Sequence, residues 1–301
     1  MDNDCSACCV SVRLEFMKQK FNFADLPDEY SNLEKAKIVI LPVPYDATST
    51  WQKGADKGPD ALIEASTHVE LYDIETDSQV YLKGIYTAEP VDVKISSEKI
   101  VESVETAVRP YLEKDKFVVL VGGEHSVSTG SVKAHLEKHK NLTVLQLDAH
   151  SDLRDEYEGS KYNHACVMAR VSEMCPIVQV GIRSMDISEK ASLDVSRIFF
   201  AEHIQESKDW MDNVLSVLSE KVYITIDLDV FDPSIMPSTG TPEPGGLLWY
   251  NVLMLLKKVF VDKEVVGFDI VELCPDKRNK APDFLAAKLI YKLLSYKYFL
   301  T

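Results

Sequence analysis

Short apolar runs alternate along the chain with longer amphipathic stretches, and this alternation restricts the possible fold more than any other feature. The apolar runs occupy residues 37–43, 117–121, 142–147, 177–182, 197–200, 222–228 and 264–271. Several are apolar on both faces, which is typical of parallel strands covered by helices on each side. Helical patterns lie between them, at residues 98–113, 126–139, 187–195, 206–219, 249–261 and 281–296. The alternation predicts an α/β fold, and right-handed crossovers then give a doubly wound sheet.

The composition and net charge indicate a folded domain and limit the kinds of partner that the protein can bind. The chain has 301 residues, 46% of them hydrophobic, and a net charge of −15, with no internal repeat or Pro/Gly/Ser-rich linker. This predicts one folded domain over residues 21–301, preceded by a loose extension over residues 1–20 that need not be ordered. The negative charge argues against nucleic acid and anionic membranes as partners, because both bind basic faces. No apolar run approaches the roughly 20 residues of a membrane span, and the N-terminus lacks the features of a signal peptide.

Cysteine usage indicates a reduced, cytoplasmic protein. Six cysteines occur, at positions 5, 8, 9, 166, 175 and 274, without the pattern of a disulfide framework. Cys5, Cys8 and Cys9 crowd one another, but no second Cys/His pair lies nearby to complete a four-ligand metal site. We therefore interpret these three residues as part of the loose N-terminal extension.

Polar clusters stand at the carboxyl ends of three predicted strands. In open α/β sheets the ligand site lies beyond these ends, so side chains placed there by different strands can meet. Side chains two residues apart on extended backbone also point the same way. The clusters contribute His125, Asp148, His150, Asp152, Asp227 and Asp229.

These six side chains predict a metal site. Four carboxylates that converge on one place repel each other unless cations neutralise them. Oxygen and imidazole ligands without thiolate suit Mn²⁺, with Zn²⁺, Fe²⁺ and Co²⁺ as competitors. Two ions that share a bridging water can generate hydroxide at neutral pH. A single strand-end aspartate is more often a cap or turn residue, but three clusters on one sheet are not explained in that way. We interpret the remaining lone histidines as structural or exposed: His68, His135, His139 and His203.

The motifs that carry these residues resemble those of the ureohydrolase family, which includes arginases and agmatinases. The resemblance runs from Val43 almost to the C-terminus, and its segments are VPYD at 43–46 with Gly54 and Gly58-Pro59, GGEHS at 122–126, DAHSD at 148–152, DLDVFDP at 227–233, GTPEPGG at 240–246 and DIVELCP at 269–275. It implies a single-domain, three-layer α/β/α fold with a mainly parallel eight-stranded sheet. It also implies that residues 21–301 form the ureohydrolase domain and that the chain forms a homo-oligomer, a trimer or hexamer.

The resemblance also assigns roles by matched position. One manganese ion would take His125, Asp148, Asp152 and Asp227, and a second would take His150, Asp148, Asp227 and Asp229, so that Asp148 and Asp227 bridge two Mn²⁺ ions. His164 aligns with a histidine that shuttles protons near the substrate, and Glu272 aligns with the carboxylate that holds the guanidinium group, so both are also expected to bind the substrate. We count Asp152 with these two among the catalytic residues. Many relatives have Asp in place of Glu124, which keeps a carboxylate beside the site.

The substrate is expected to be a small cationic guanidino compound, most simply agmatine, which would give putrescine and urea and so feed polyamine synthesis. The segment that follows Asp152 and the stretch 45–50 both resemble agmatinases more than arginases. Asp155, with Glu156 and Glu158, either attracts the distal ammonium of such a substrate or forms a plain solvated face. Arginine, guanidinobutyrate and aminopropyl-agmatine are alternatives.

Two rival interpretations belong to different classes of protein. Deacetylases share the α/β arrangement but use a single zinc ion and fewer ligands. An inactive relative would keep the fold as a binding partner and release no urea. The complete ligand set and Glu272 favour the hydrolytic interpretation.

Overall fold

The computed structural model describes residues 22–93 and 96–300. The predicted extension at 1–20, with Cys5, Cys8 and Cys9, lies outside the described residues. The other three cysteines, Cys166, Cys175 and Cys274, are buried free thiols. No helix within the described ranges is both long and apolar enough to cross a membrane.

One eight-stranded sheet forms the centre of the described residues. Its strands are β1 (Ile38–Val43), β2 (Ile85–Thr87), β3 (Phe117–Gly122), β4 (Leu142–Leu147), β5 (Ile177–Ile182), β6 (Ile198–Phe200), β7 (Lys221–Asp227) and β8 (Glu264–Val271). They are arranged in the order β2-β1-β3-β8-β7-β4-β5-β6, and every neighbouring pair is parallel. The predicted α/β fold with an eight-stranded sheet is confirmed, and the sheet is parallel throughout.

Helices cover both faces of the sheet. The α-helices are α1 (Asp28–Ser31), α2 (Gly58–Ser66), α3 (Ser97–Glu113), α4 (Ser128–Lys138), α5 (Val167–Ser172), α6 (Ala201–Glu206), α7 (Trp210–Val217), α8 (Trp249–Asp262) and α9 (Ala281–Phe299). Alternate residues of a strand face opposite layers. In β1, Ile38 and Ile40 belong to the core cluster that includes residues of α2, α8 and α9, whereas Val39 and Leu41 belong to the cluster that includes residues of α3. Both faces of these strands are buried, which favours apolar residues at most positions and explains their largely apolar runs.

Several elements differ from those predicted. The helical pattern at 187–195 forms only a short 3-10 helix, Ile187–Ser192. Asp186 and Glu189 cap its N-terminus as a capping box, in which each side chain accepts a hydrogen bond from the backbone of the other end of the turn. The pattern at 206–219 forms only the shorter helix α7, because residues 207–209 at its start are polar and exposed to solvent. The chain also forms β2, α1, α2, α5 and α6, which were not predicted. β2 has only three residues and lies at the sheet edge, and α2 begins with a Gly-Pro pair that resembles a turn.

Candidate active site

The candidate site lies beyond the carboxyl ends of four neighbouring strands, β3, β8, β7 and β4. β3 leads into a 3-10 turn that begins at His125, β7 ends at Asp227, and β8 is followed directly by Glu272. The segment after β4 supplies Asp148, His150 and Asp152. The parallel order of the strands thus brings residues together that are far apart in the sequence.

Two overlapping groups of side chains can each hold a metal ion. In the first, Nδ1 of His125 lies 3.1 Å from Oδ2 of Asp148 and 3.0 Å from Oδ2 of Asp152. In the second, Nδ1 of His150 lies 2.8 Å from Oδ2 of Asp229 and 3.7 Å from Oδ1 of Asp148. Within each group the ligand atoms lie within 4.8 Å of one another. Asp148 belongs to both groups, and its two oxygens face different histidines.

The sixth predicted ligand, Asp227, lies at the same place. Its Oδ2 is 3.6 Å from Nδ1 of His125, and its other oxygen accepts a hydrogen bond from the backbone N–H of Asp229. The structure therefore brings all six predicted ligand side chains together.

Burial and charge make this cluster suited to cations. Burial, followed by the charges of Asp229 and Asp148, raises the pKa of Asp227 well above its ordinary value. Burial and Asp148 raise the pKa of Asp152 to about 7. Nδ1 of His125 is buried and has no hydrogen-bond partner among the described residues, although carboxylate oxygens surround it. A lone pair directed at buried carboxylates is the arrangement that a shared divalent cation satisfies.

A hydrogen-bond chain behind His125 sets which nitrogen carries the proton. Nε2 of His125 lies 2.9 Å from the Thr225 hydroxyl, and that hydroxyl donates to the buried Asp269 carboxylate at 2.6 Å. Because the hydroxyl proton goes to Asp269, Thr225 accepts from Nε2–H. Nδ1 therefore keeps its lone pair for a cation, as a metal-ligating imidazole requires.

The carboxylate ligands are also held from behind. The side-chain amide of Gln146 donates to Asp148 at 2.7 Å, and the backbone N–H of Ala149 donates to Asp229 at 2.9 Å. Asp152 has left-handed backbone, with φ of 53°. The buried Glu189 stabilises this backbone conformation, because it accepts hydrogen bonds from the two neighbours of Asp152: the Ser151 hydroxyl and the backbone N–H of Leu153.

Glu272 faces a cavity of about 250 Å³ next to the ligand cluster. Its backbone is left-handed, with φ of 65°, and its N–H donates to the Gly123 carbonyl at 2.7 Å. One carboxylate oxygen accepts from the backbone N–H of His125 at 2.7 Å. Burial, followed by the charge of Glu124, raises the pKa of Glu272 well above its ordinary value. A buried carboxylate held in this way is suited to pair with a cationic group in the cavity.

His164 lines the same cavity and begins a 3-10 turn that Asn163 caps. Its Nδ1 lies 3.2 Å from the Thr48 hydroxyl, and its ring meets Tyr157 edge to face. Burial lowers the pKa of His164 to about 4. The ring is therefore held close to the ligand cluster in its neutral form.

Asp155 takes a different position from the other predicted site residues. Its side chain is 74% exposed and forms ion pairs with Lys161 at 3.2 Å and Arg170 at 2.8 Å. Asp155 is not among the residues that line the cavity. The structure brings the predicted catalytic residues His164, Glu272 and Asp152 together, but it does not bring Asp155 to them.

Other polar residues at the site had no clear signal in the sequence. Arg154 lines the cavity, stacks on Tyr157, and lies 3.6 Å from both Asp186 and Glu189. Its charge is thus balanced by two acids. Asp186 and Glu189 follow a strand that the motifs do not mark, so only the three-dimensional structure identifies them. The four histidines interpreted as structural or exposed do not line the cavity: His68, His135, His139 and His203.

Comparisons with known proteins agree with this geometry. Residues 36–295 match the arginase family. An N(1)-aminopropylagmatine ureohydrolase from Synechocystis is 40% identical over 273 residues, which cover 87% of this chain and 89% of the relative. An agmatinase from Pyrococcus horikoshii is 35% identical over 267 residues, which cover 87% of this chain and 93% of the relative.

A solved structure supports the same assignment. The agmatine ureohydrolase of Thermoplasma volcanium superposes with a TM-score of 0.84 at 30% sequence identity, and covers 93% of this chain and 95% of its own. The match to the family covers most of the chain, and relatives above 30% identity extend over nearly the same region. The chain therefore belongs to the arginase family, whose ureohydrolases are hydrolases.

Proposed function

We propose that this protein is a manganese-dependent ureohydrolase that releases urea from a guanidinoalkylamine, with agmatine as the simplest substrate. The observation that carries this proposal is the position of Glu272, a buried carboxylate that faces a small cavity directly beside the cluster of His and Asp ligands. A planar guanidinium group pairs well with a carboxylate, so Glu272 would hold the guanidino carbon next to the ligand cluster.

The ligand cluster would hold two Mn²⁺ ions. His125, Asp148 and Asp152 form one group and Asp148, His150 and Asp229 form the other, with Asp227 next to the first. Oxygen and imidazole donors without thiolate suit Mn²⁺. Such ions, when bound, supply Lewis-acid activation of water for attack on the guanidino carbon.

The chain's own residues would do the remaining work. Glu272 would fix the guanidinium and exclude water from one side of it, because the carboxylate is buried and anchored by the His125 N–H. His164 would hold and transfer the proton that the departing amine needs. Asp152, braced by Glu189, would keep its oxygen in the ligand position.

The length of the substrate separates two candidates. Agmatine and its aminopropyl derivative share the guanidino end and differ only in the amine tail, which would extend toward the exposed part of the cavity, where Trp51 is 80% exposed. Asp186, a cavity-lining carboxylate that is 39% exposed, would attract a cationic tail. The longer substrate is favoured by the 40% and 41% identity to ureohydrolases of N(1)-aminopropylagmatine from Synechocystis and Thermus thermophilus.

Location and assembly follow by similarity. We infer a cytoplasmic homo-oligomer, a trimer or hexamer, that acts in polyamine synthesis. Size-exclusion chromatography with light scattering would measure the assembly directly, and a monomer would contradict this part of the proposal.

Urea release measures the proposed function. Purified protein loaded with Mn²⁺ should release urea from agmatine or N(1)-aminopropylagmatine in preference to arginine and guanidinobutyrate. Glu272→Gln should keep its metal content and lose most activity, whereas Glu156→Gln, a matched change on the exposed surface, should behave like wild type. Asp155→Asn should also leave KM unchanged, because Asp155 lies outside the cavity lining. One tightly held zinc ion without activation by manganese, or no urea from any of the four compounds, would refute the proposal.

A further inference from the structure

The loop that follows β1 brings Thr48 between Glu124 and His164. The backbone N–H of Thr48 donates to Oε2 of Glu124 at 2.6 Å, and the Thr48 hydroxyl donates to Oε1 at 2.7 Å. On its other side, the same hydroxyl oxygen accepts from the backbone N–H of His164 at 3.0 Å and lies 3.2 Å from Nδ1 of the ring. A single hydroxyl group thus links a buried carboxylate to a cavity histidine.

Glu124 makes the direction of these bonds unambiguous. It is fully buried and accepts four hydrogen bonds, from the backbone N–H groups of Thr48 and Ser49 and from the hydroxyls of Thr48 and Ser126. A carboxylate only accepts, and its charge strengthens each bond that it receives. The single hydroxyl proton of Thr48 is therefore used toward Glu124.

The other hydrogen bonds of the Thr48 hydroxyl determine which ring nitrogen of His164 carries the proton. A hydroxyl oxygen has two lone pairs, and the backbone N–H of His164 occupies one of them. The other lone pair is satisfied only if Nδ1 of His164 carries a proton and donates it. Among the described residues Nε2 makes no hydrogen bond, so it keeps a free lone pair in a ring that lines the cavity.

We propose that Thr48 is a positioning residue that holds neutral His164 as the Nδ1–H tautomer and leaves the basic Nε2 for the cavity. This inference rests on the proposed function, since it concerns the histidine that would protonate the departing amine. When His164 is protonated, the proton on Nε2 is the one that can be given to the amine, and the ring returns to the Nδ1–H form without a flip. Thr48 is not among the residues that line the cavity or form the ligand groups, and it acts through His164.

Kinetics with matched variants test the role of the hydroxyl. Thr48→Val keeps the shape of the side chain and removes the hydroxyl, and we expect kcat to fall roughly 10–100-fold with KM and metal content unchanged. Thr48→Ser restores the hydroxyl and should stay close to wild type. Thr67→Val, which removes a hydroxyl bonded to the Glu64 carbonyl far from the cavity, is the matched control. Equal kcat in Thr48→Val and wild type would overturn the inference.

A spectroscopic measurement tests the tautomer itself without any need for turnover. Protein labelled with ¹⁵N-histidine and loaded with diamagnetic Zn²⁺ should show a protonated Nδ1 and an unprotonated Nε2 for His164, assigned by the signals that His164→Gln removes. Thr48→Val should give a mixture of tautomers, and Thr48→Ser should not. A proton on Nε2 in the wild-type protein, or an unaltered ring signal in Thr48→Val, would overturn the inference. Absence of urea release by the wild-type protein would instead refute the proposed function, and the tautomer would still be measurable.

Discussion

Mild acid should destabilise the protein through His135, a buried histidine outside the catalytic cavity. Its Nδ1 lies 2.8 Å from the Ser131 carbonyl, which can only accept, so Nδ1 carries the proton of the neutral ring. Nε2 is buried without a hydrogen-bond partner among the described residues, and the ring packs against Tyr223 with centroids 4.7 Å apart. A second proton would create a buried charge with no partner. Burial accordingly lowers the pKa of His135 from 6.5 to about 4.

The sign and size of the effect follow from this pKa. Between pH 6.5 and about 4 the unfolded chain binds a proton at His135 that the folded protein does not bind, so stability falls as the pH falls through this window. The full difference corresponds to roughly 3 kcal/mol, of which about 2 kcal/mol is lost between about pH 7.5 and about pH 5. Because the side chain is fully buried, solvent does not screen the effect.

The measurement is the free energy of unfolding from urea titrations at the two pH values, at constant protein and metal concentration. His135→Asn keeps a donor for the Ser131 carbonyl but cannot titrate, so it should lose about 2 kcal/mol less than wild type over this interval. His68→Asn, a change at an exposed histidine, should keep the wild-type difference. An equal loss of stability in wild type and His135→Asn would refute the reasoning, whatever the absolute stability of the variant.

Three further changes test the site and the core. Asp227→Asn should retain fewer metal ions per chain and lose activity, because a buried ligand charge is removed; elemental analysis after dialysis measures this, and unchanged metal content would contradict the assignment. Gly240→Ala should leave stability nearly unchanged but raise KM, since its methyl group would meet only the Gln52 carbonyl at 3.4 Å and Oε2 of Glu272 at 3.7 Å. An unchanged KM would place the substrate elsewhere. Gly267→Ala should lower the free energy of unfolding by about 1–3 kcal/mol, because its Cβ would lie 2.4 Å from Nε2 of His135; urea titration measures the loss, and wild-type stability would show that the ring moves freely.

The fold was predictable where single elements carry their own signal. A long apolar run that is buried on both faces, such as Glu264–Val271, can be predicted as a strand from its local sequence alone. β2 could not be found in this way, because three residues at a sheet edge form a strand only by pairing with β1. Nor could α6 be found, because six residues are too few to show a helical period.

The site was predictable where motifs place ligands directly at strand ends. His125 and Asp148 could be located because the end of a parallel strand has a known position relative to its neighbours. Asp155 shows the limit of this reasoning: its charge suits a cationic substrate, but it is satisfied by Lys161 and Arg170 at the surface. The braces of the site, such as Glu189, act across long sequence separations, and no local pattern reveals them.

The same kind of hydrogen-bond chain fixes the tautomers of His125 and His164, but it binds a different ring nitrogen in each. In each, a threonine hydroxyl gives its proton to a buried carboxylate and accepts from one ring nitrogen: Thr225 and Asp269 for His125, Thr48 and Glu124 for His164. Nε2 is bound in His125, which frees Nδ1 among the ligand carboxylates. Nδ1 is bound in His164, which leaves Nε2 to the cavity. Since an imidazole offers only one lone pair when neutral, the choice of the bound nitrogen decides whether that lone pair serves a cation or a proton. The threonine and carboxylate bonded to each ring thus determine whether the histidine is suited to bind a cation or to transfer a proton.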